Sequence, residues 1–191
     1  MSNWGATDAD ESKPKYLTAA QKKEVYANSS GWVVEAGSKM TGNGRTGADP
    51  EVLVAIGSLA TALGQADITE VEFVTTSYSE AAPGAFSTRV RFNEAVTVTG
   101  TPRVQVTNSQ AGGGTSASWK GNYASGSGTN ELTFTSALGA GAAAENDVLS
   151  LAANCMELNS GTVVDTAGGG NATITSSAAI GTAAGTITVA A

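Results

Sequence analysis

Apolar and polar positions alternate along most of the chain after residue 67 and seldom repeat at helical spacing. The clearest stretch is Phe86 to Phe92 (FSTRVRF), which predicts a strand with one buried and one wet face. Ala95 to Thr99, Arg103 to Thr107, Trp119 to Tyr123 and Glu131 to Thr135 read the same way. Shorter strands are expected at Val71 to Thr76, Cys155 to Leu158, Thr162 to Val164, Ala172 to Thr175 and Gly185 to Val189. Turn residues recur about every ten positions, the spacing of an all-β domain. Val90, Phe92, Val104, Val106, Leu132 and Phe134 are the expected core. Leu138 to Ala144 and Ala178 to Gly185 carry too little apolar bulk for core strands and are expected to be loops.

The first 64 residues read differently. Met1 to Pro14 is polar and extended, too poor in large apolar groups to build a core of its own. Thr18 is the N-cap of a short helix expected over Ala19 to Ala27, stopped by Asn28-Ser29-Ser30-Gly31. Trp32 to Ala36 is a strand, followed by the loop SKMTGNGRTGADP. Glu51 to Ile56 is open to two readings. Asp49-Pro50 would start a helix there, whereas the alternation of Val52, Val54 and Ile56 favours a strand paired with Trp32 to Ala36. Leu59 to Gly64 holds room for one helical turn. The expected organisation is therefore a docking region over 1–64 and a β-sandwich over 65–191, preceded by the extended arm, the short helix and a β-hairpin.

Composition sharpens this picture. Ala (33), Gly (24), Thr (24) and Ser (19) make up more than half of the 191 residues, so the core is thin and neighbouring molecules are an expected source of stability. A homo-oligomer is expected for that reason. No stretch approaches the ~20 apolar residues that cross a bilayer as a helix, and no membrane partner is expected. The net charge is −7, and after Glu94 the only cations are Arg103 and Lys120, so there is no basic footprint for nucleic acid. The start MSNWGATDAD is acidic and has no basic-then-apolar leader, which predicts synthesis in the cytoplasm without secretory export.

The chain has no His, which excludes imidazole bases, catalytic triads and His-bound metals. Its single Cys155 sits among Ala153, Met156 and Leu158 and reads as a small core residue. Glu94, Glu131, Asp147, Glu157 and Asp165 carry no spacing that marks a glycosidase pair, and solvated loop acids are the preferred reading. Asp165 to Asn171 offers oxygen ligands for Ca²⁺, but a metal-free Asx-turn is preferred because the alternating acids of a calcium loop are missing. GNGRTG at 42–47 and the glycine triplets at 112–114 and 168–170 lack a phosphate-loop ending and read as flexible loops. No catalytic set, cofactor or metal is expected. Trp32 and Trp119 are expected in cores, whereas Trp4 lies in a polar segment and suits an anchor into a partner.

Three stretches carry a resemblance. RVRFNEAVTVTGTPRVQVTN (89–108), NYASGSGTNELTFT (122–135) and ELNSGTVVDTAGGGNATIT (157–175) follow one another in the order and spacing of the bacterial Ig-like repeat. That repeat is a β-sandwich of bacterial surface and phage virion proteins, and the likeness covers about 110 residues. The last motif departs from it through two extra glycines before Asn171 and through Val163-Val164 in place of the usual Ile-x pair. The N-terminal text NWGATDADESKPKYLT, VYANSSGWVVEAG and EVLVAIGSLATALG resembles the opening of virion structural proteins from T4-like phages of marine cyanobacteria, over about 60 residues.

The resemblance implies a non-enzymatic virion protein, a capsid decoration protein displaying an Ig-like domain on the particle exterior. Its implied partners are the major capsid protein or other virion proteins. The alternative it leaves open is a tail, neck or fibre module that holds host-surface glycan through loops such as 109–118. Docking is expected through residues 1–64, with Trp4, Tyr16, Leu17, Trp32, Val52 and Val54 as the contact residues. The strand edges of Trp32 to Ala36 and Glu51 to Ile56 are expected to pair with a partner chain.

Overall fold

The computed structural model describes residues 13–14, 16–28, 31–35, 37–38, 40, 51–55, 65–82, 84–167 and 170–191. Helix α1 (Ala19–Lys23) opens with a capping box: Thr18 N–H donates to Gln21 Oε1 at 3.0 Å, and Gln21 N–H donates to Thr18 Oγ1 at 3.3 Å. The helix is shorter than its expected run to Ala27. From Val25 the β-branched and aromatic side chains pair better as a strand, and β1 (Val25–Asn28) forms an antiparallel ladder with β2 (Gly31–Val34). Strand β3 (Glu51–Ala55) pairs antiparallel with β2, which decides the ambiguous EVLVA segment in favour of a strand.

The larger body is all-β. Strands β4 (Ile68–Phe73), β5 (Ala85–Thr99), β6 (Arg103–Asn108), β7 (Ser118–Ser125) and β8 (Thr129–Ala137) carry most of it. They are joined by β9 (Val148–Ser150), β10 (Met156–Glu157), β11 (Thr162–Asp165), helix α2 (Ala178–Ala183) and β12 (Thr186–Thr188). The strand order is β12-β9-β6-β7-β8-β5-β1-β2-β3, with β10 beside β6 and both β4 and β11 beside β5. The sheet curls around one core, which makes the body sandwich-like, as the alternation requires.

Strand β5 organises this body. Its first half pairs with β4 on one side and β8 on the other, and its second half pairs with β11. The two strands expected at Phe86 to Phe92 and Ala95 to Thr99 are one, because Asn93-Glu94 keeps the phase of two: Phe86, Thr88, Val90, Phe92, Glu94 and Val96 are all buried. The six expected core residues are buried too. Phe86 is the hub, with edge-on ring contacts to Phe73 at 5.7 Å, Tyr78 at 6.0 Å and Trp119 at 5.7 Å.

Three local expectations are corrected. Ala172 to Thr175 forms one isolated bridge, Asp67 to Thr173, and Asn171 just before it bridges Val164. Within Ala178 to Gly185, helix α2 forms because Ser177 caps Ile180 N–H at 3.3 Å and small residues let the turn approach the backbone just after β9. A Cβ on Gly181 would lie 2.5 Å from Leu151 O. The 112–114 triplet is not a loose loop. Gly112 and Gly114 lie so close to Glu145 and Asp147 that a Cβ would fall 1.7 Å from Glu145 O and 2.1 Å from Asp147 Oδ2.

Candidate docking interface

The N-terminal sheet has its own small core. Leu17, Val25, Trp32 and Val34 are buried together, with Met40, Leu53 and Val54 packed against them. Period-two alternation would send Leu53 and Val54 to opposite faces. A bulge in β3 opposite Trp32/Val33 changes that: Trp32 faces Val54 and Val33 faces Val52, leaving Leu53 as the extra residue. Both Leu53 and Val54 can therefore lean on the same cluster. Tyr26 and Val33 pair across β1 and β2 on the opposite face and are buried as well. The sheet is thus covered on both faces at β2.

The six expected docking residues separate into groups. Tyr16 is 68% exposed and Val52 is 47% exposed, so both present apolar surface to solvent. Leu17 and Trp32 are packed inside the small core, Trp32 completely, and Val54 is half-buried against it. Trp4 lies outside the described residues, as do the loop over 41–50 and the turn expected at Leu59 to Gly64. Strand β2 lies between β1 and β3, so its edges are both occupied, contrary to the expectation for Trp32 to Ala36. Among the described residues, β3 is the edge of this sheet.

The sheet is held to the larger body at β5. Ala27 bridges Glu94 in parallel, and beside this bridge lies a cluster of charges that the sequence reading placed on a wet face. Arg91 is only 8% exposed. Its Nη1 donates to both Glu35 carboxylate oxygens at 3.1 Å and to Lys23 O at 3.2 Å. Its Nη2 lies 3.1 Å from Glu131, and its Nε lies 3.4 Å from Glu72 and 3.6 Å from Glu70. Arg89 pairs with Glu131 at 2.7 Å and Glu72 at 3.2 Å, and Lys23 pairs with Glu70. The register explains the assembly, since Glu70 faces Arg91 and Glu72 faces Arg89 across β4 and β5. The text TEVEF against RVRF carried that signal, two acids and two arginines each spaced by two.

Burial pushes the Glu35 carboxyl up to about 7, with Glu131 and Glu24 adding to the rise and Arg91 opposing it. Burial and Glu35 together push the Tyr26 phenol up to about 12. Next to the cluster, α1, β4, β5 and α2 border an open pocket of about 550 Å³ lined by Lys13, Lys22, Lys23, Glu70, Phe92 and Ile180.

Compared with protein-family models, curated proteins and solved structures, the chain gives no match. Its candidate chemistry therefore rests on its own geometry. Three of the five acids expected in solvent are buried: Glu94, Asp147 and Asp165. Burial would raise Asp147. However, Ala144 N–H, Asn108 Nδ2 and Gly112 N–H donate to it at 2.9, 2.8 and 2.7 Å and hold it below the usual carboxylate range. Asp165 accepts from Ala167 N–H at 2.7 Å, the expected Asx-turn. Glu131 is taken up by the two arginines, and Glu157 pairs with Lys120 at 2.8 Å. Among the described residues, no group of three His, Cys, Asp or Glu is placed to hold a metal. Cys155 is buried, and burial pushes its thiol up to about 11, which disfavours the thiolate.

Proposed function

We propose that this chain is a non-enzymatic structural protein of a phage virion that decorates the capsid exterior, with the sandwich displayed outward and the N-terminal sheet docking to the particle. The observation that carries the reading is strand β3, the edge of its sheet among the described residues, which offers a short run of backbone groups with Val52 exposed beside them. Strand addition at such an edge supplies affinity through main-chain hydrogen bonds without a deep pocket. The resemblance of residues 89–175 to the Ig-like repeat and of the N-terminal text to virion proteins supports the same reading. Many copies on one particle would compensate for a small contact per copy.

The test is localisation. Virions carrying a gold-binding tag at Ala191 should show label spread over the capsid shell. Label confined to neck, tail or fibres would move the protein to the appendage reading, and particles without the protein would overturn the virion reading.

A further inference from the structure

We propose that the junction between the N-terminal sheet and the sandwich is a pH-sensitive clasp, closed when Glu35 carries a proton and loosened when it ionises. The geometry is that of an acid in excess. Arg91 already has Glu131 at Nη2 and Glu72 and Glu70 around Nε, all supplied by β4 and β8 of the sandwich itself. Glu35 is the carboxyl that the N-terminal sheet brings to the same guanidinium, on Nη1. Four carboxyls thus share a half-buried site with Arg89, Arg91 and Lys23.

The groups that face Glu35 are Arg91 on β5, Glu131 on β8, Glu24 at the end of α1 and Tyr26 on β1. Glu24 also accepts a hydrogen bond from Ser38, which holds its carboxyl close by. A further negative charge in this place has little water, two acids beside it and one guanidinium that three other carboxyls already share. Burial outweighs the attraction of Arg91, so the folded sheet retains a proton that the undocked sheet would release. The raised Glu35 value agrees with this.

The sign follows from linkage. Between the ordinary value of 4.5 and about 7, the docked form binds the extra proton. Docking is therefore fully supported below 4.5 and loses that support as the pH rises through about 7, with no further loss above it. One proton sets an upper limit of about tenfold per pH unit on the docking equilibrium. This inference concerns the chain itself and holds whatever the sheet binds.

The experiment is hydrogen exchange of the full chain at pH 5, 6, 7 and 8, corrected for intrinsic rates, comparing peptides across 25–35 with peptides across 86–106. Protection of 25–35 should fall by several-fold to tenfold per unit between pH 5 and 7 and level off by pH 8, with 86–106 unchanged. Glu35→Gln should abolish that slope and leave 25–35 better protected than wild type at pH 8. Glu131→Gln should move the fall to lower pH. A flat wild-type profile would overturn the clasp, as would an unchanged slope in Glu35→Gln. So would lower protection of the Gln variant at every pH, because the ionised Glu35–Arg91 pair would then be the stabilising form. Carboxyl carbon NMR gives an independent reading: a Glu35 midpoint near 7 supports the clasp and one below 5 removes it.

Discussion

The sandwich and the N-terminal sheet each bury a carboxyl, and they treat it in opposite ways. Asp147 in the sandwich receives three N–H donors, and its acidity increases. Glu35 in the N-terminal sheet is largely buried and shares one arginine with other acids, and its acidity decreases. The first arrangement fastens a loop with a charge that is stable once the pH exceeds the ordinary Asp range. The second fastens a sheet through a carboxyl whose ionisation costs stability as the pH rises toward neutrality. The apolar parts differ in the same direction. The sandwich core centres on Phe86 and its ring contacts, whereas four side chains form the buried core of the N-terminal sheet among the described residues. The contrast teaches that the small sheet depends on the large body for its position, and that the dependence runs one way.

Phe86→Ala is the most severe way to test that asymmetry. It empties the hub of the core and should cost about 3–5 kcal/mol in chemical denaturation. Exchange protection should fall in β1 and β2 as well as in the sandwich, since β1 holds to β5 and β2 to β1. Trp32→Ala removes a comparable volume from the small core, also about 3–5 kcal/mol locally. Here the exchange loss should stay within residues 16–55, and an equal loss in β6 to β8 would show that the two regions unfold as one unit.

Asp147→Ala leaves Gly112 N–H, Ala144 N–H and Asn108 Nδ2 without their common acceptor, and should cost about 1.5–3 kcal/mol. In the wild type the same stabilisation is present above the ordinary Asp value of 3.8 and is lost as pH falls through the lower folded value. Acid should therefore free the 108–115 loop in a range where the support from Glu35 is already nearly complete, so exchange at pH 3 against pH 5 reads the loop and exchange at pH 5 against pH 7 reads the N-terminal sheet. Val52→Asp should produce the smallest effect on folding, within about 0.5 kcal/mol, because the side chain is nearly half exposed. Its occupancy on particles should nevertheless drop if β3 is the docking strand. Unchanged occupancy would move docking elsewhere.

Strand chemistry was legible in the sequence wherever burial follows a period of two. Val104, Val106, Leu132 and Phe134 alternate with polar residues, and each lies in the core. The same rule would have carried β5 through Asn93-Glu94. A buried Glu is rare enough that the pair reads as a break, although its phase was intact. Val25 to Asn28 was hidden because a capped helix ahead of it invites extension, and sheet pairing with Gly31 to Val34 overrides that local preference. The clasp was legible only in part. Glu70, Glu72, Arg89 and Arg91 announce themselves by spacing, but Glu35 and Lys23 reach them from distant segments, and only the tertiary fold brings those together.

Strand β5 finds its partners on both sides in sequence: β1 and β4 precede it, and β8 and β11 follow. Thr99 waits for Thr162 as its antiparallel partner. A chain growing from its N-terminus must hold this strand with open edges until most of the sequence has been made. Such distant pairings place refolding in the slow, millisecond-to-second class, set by loop closure and not by local propensity. The N-terminal sheet is synthesised first, yet the finished β5 on which it rests becomes available late. It should therefore be the last part to gain protection in pulse-labelled refolding, so that the order of folding reverses the order of synthesis.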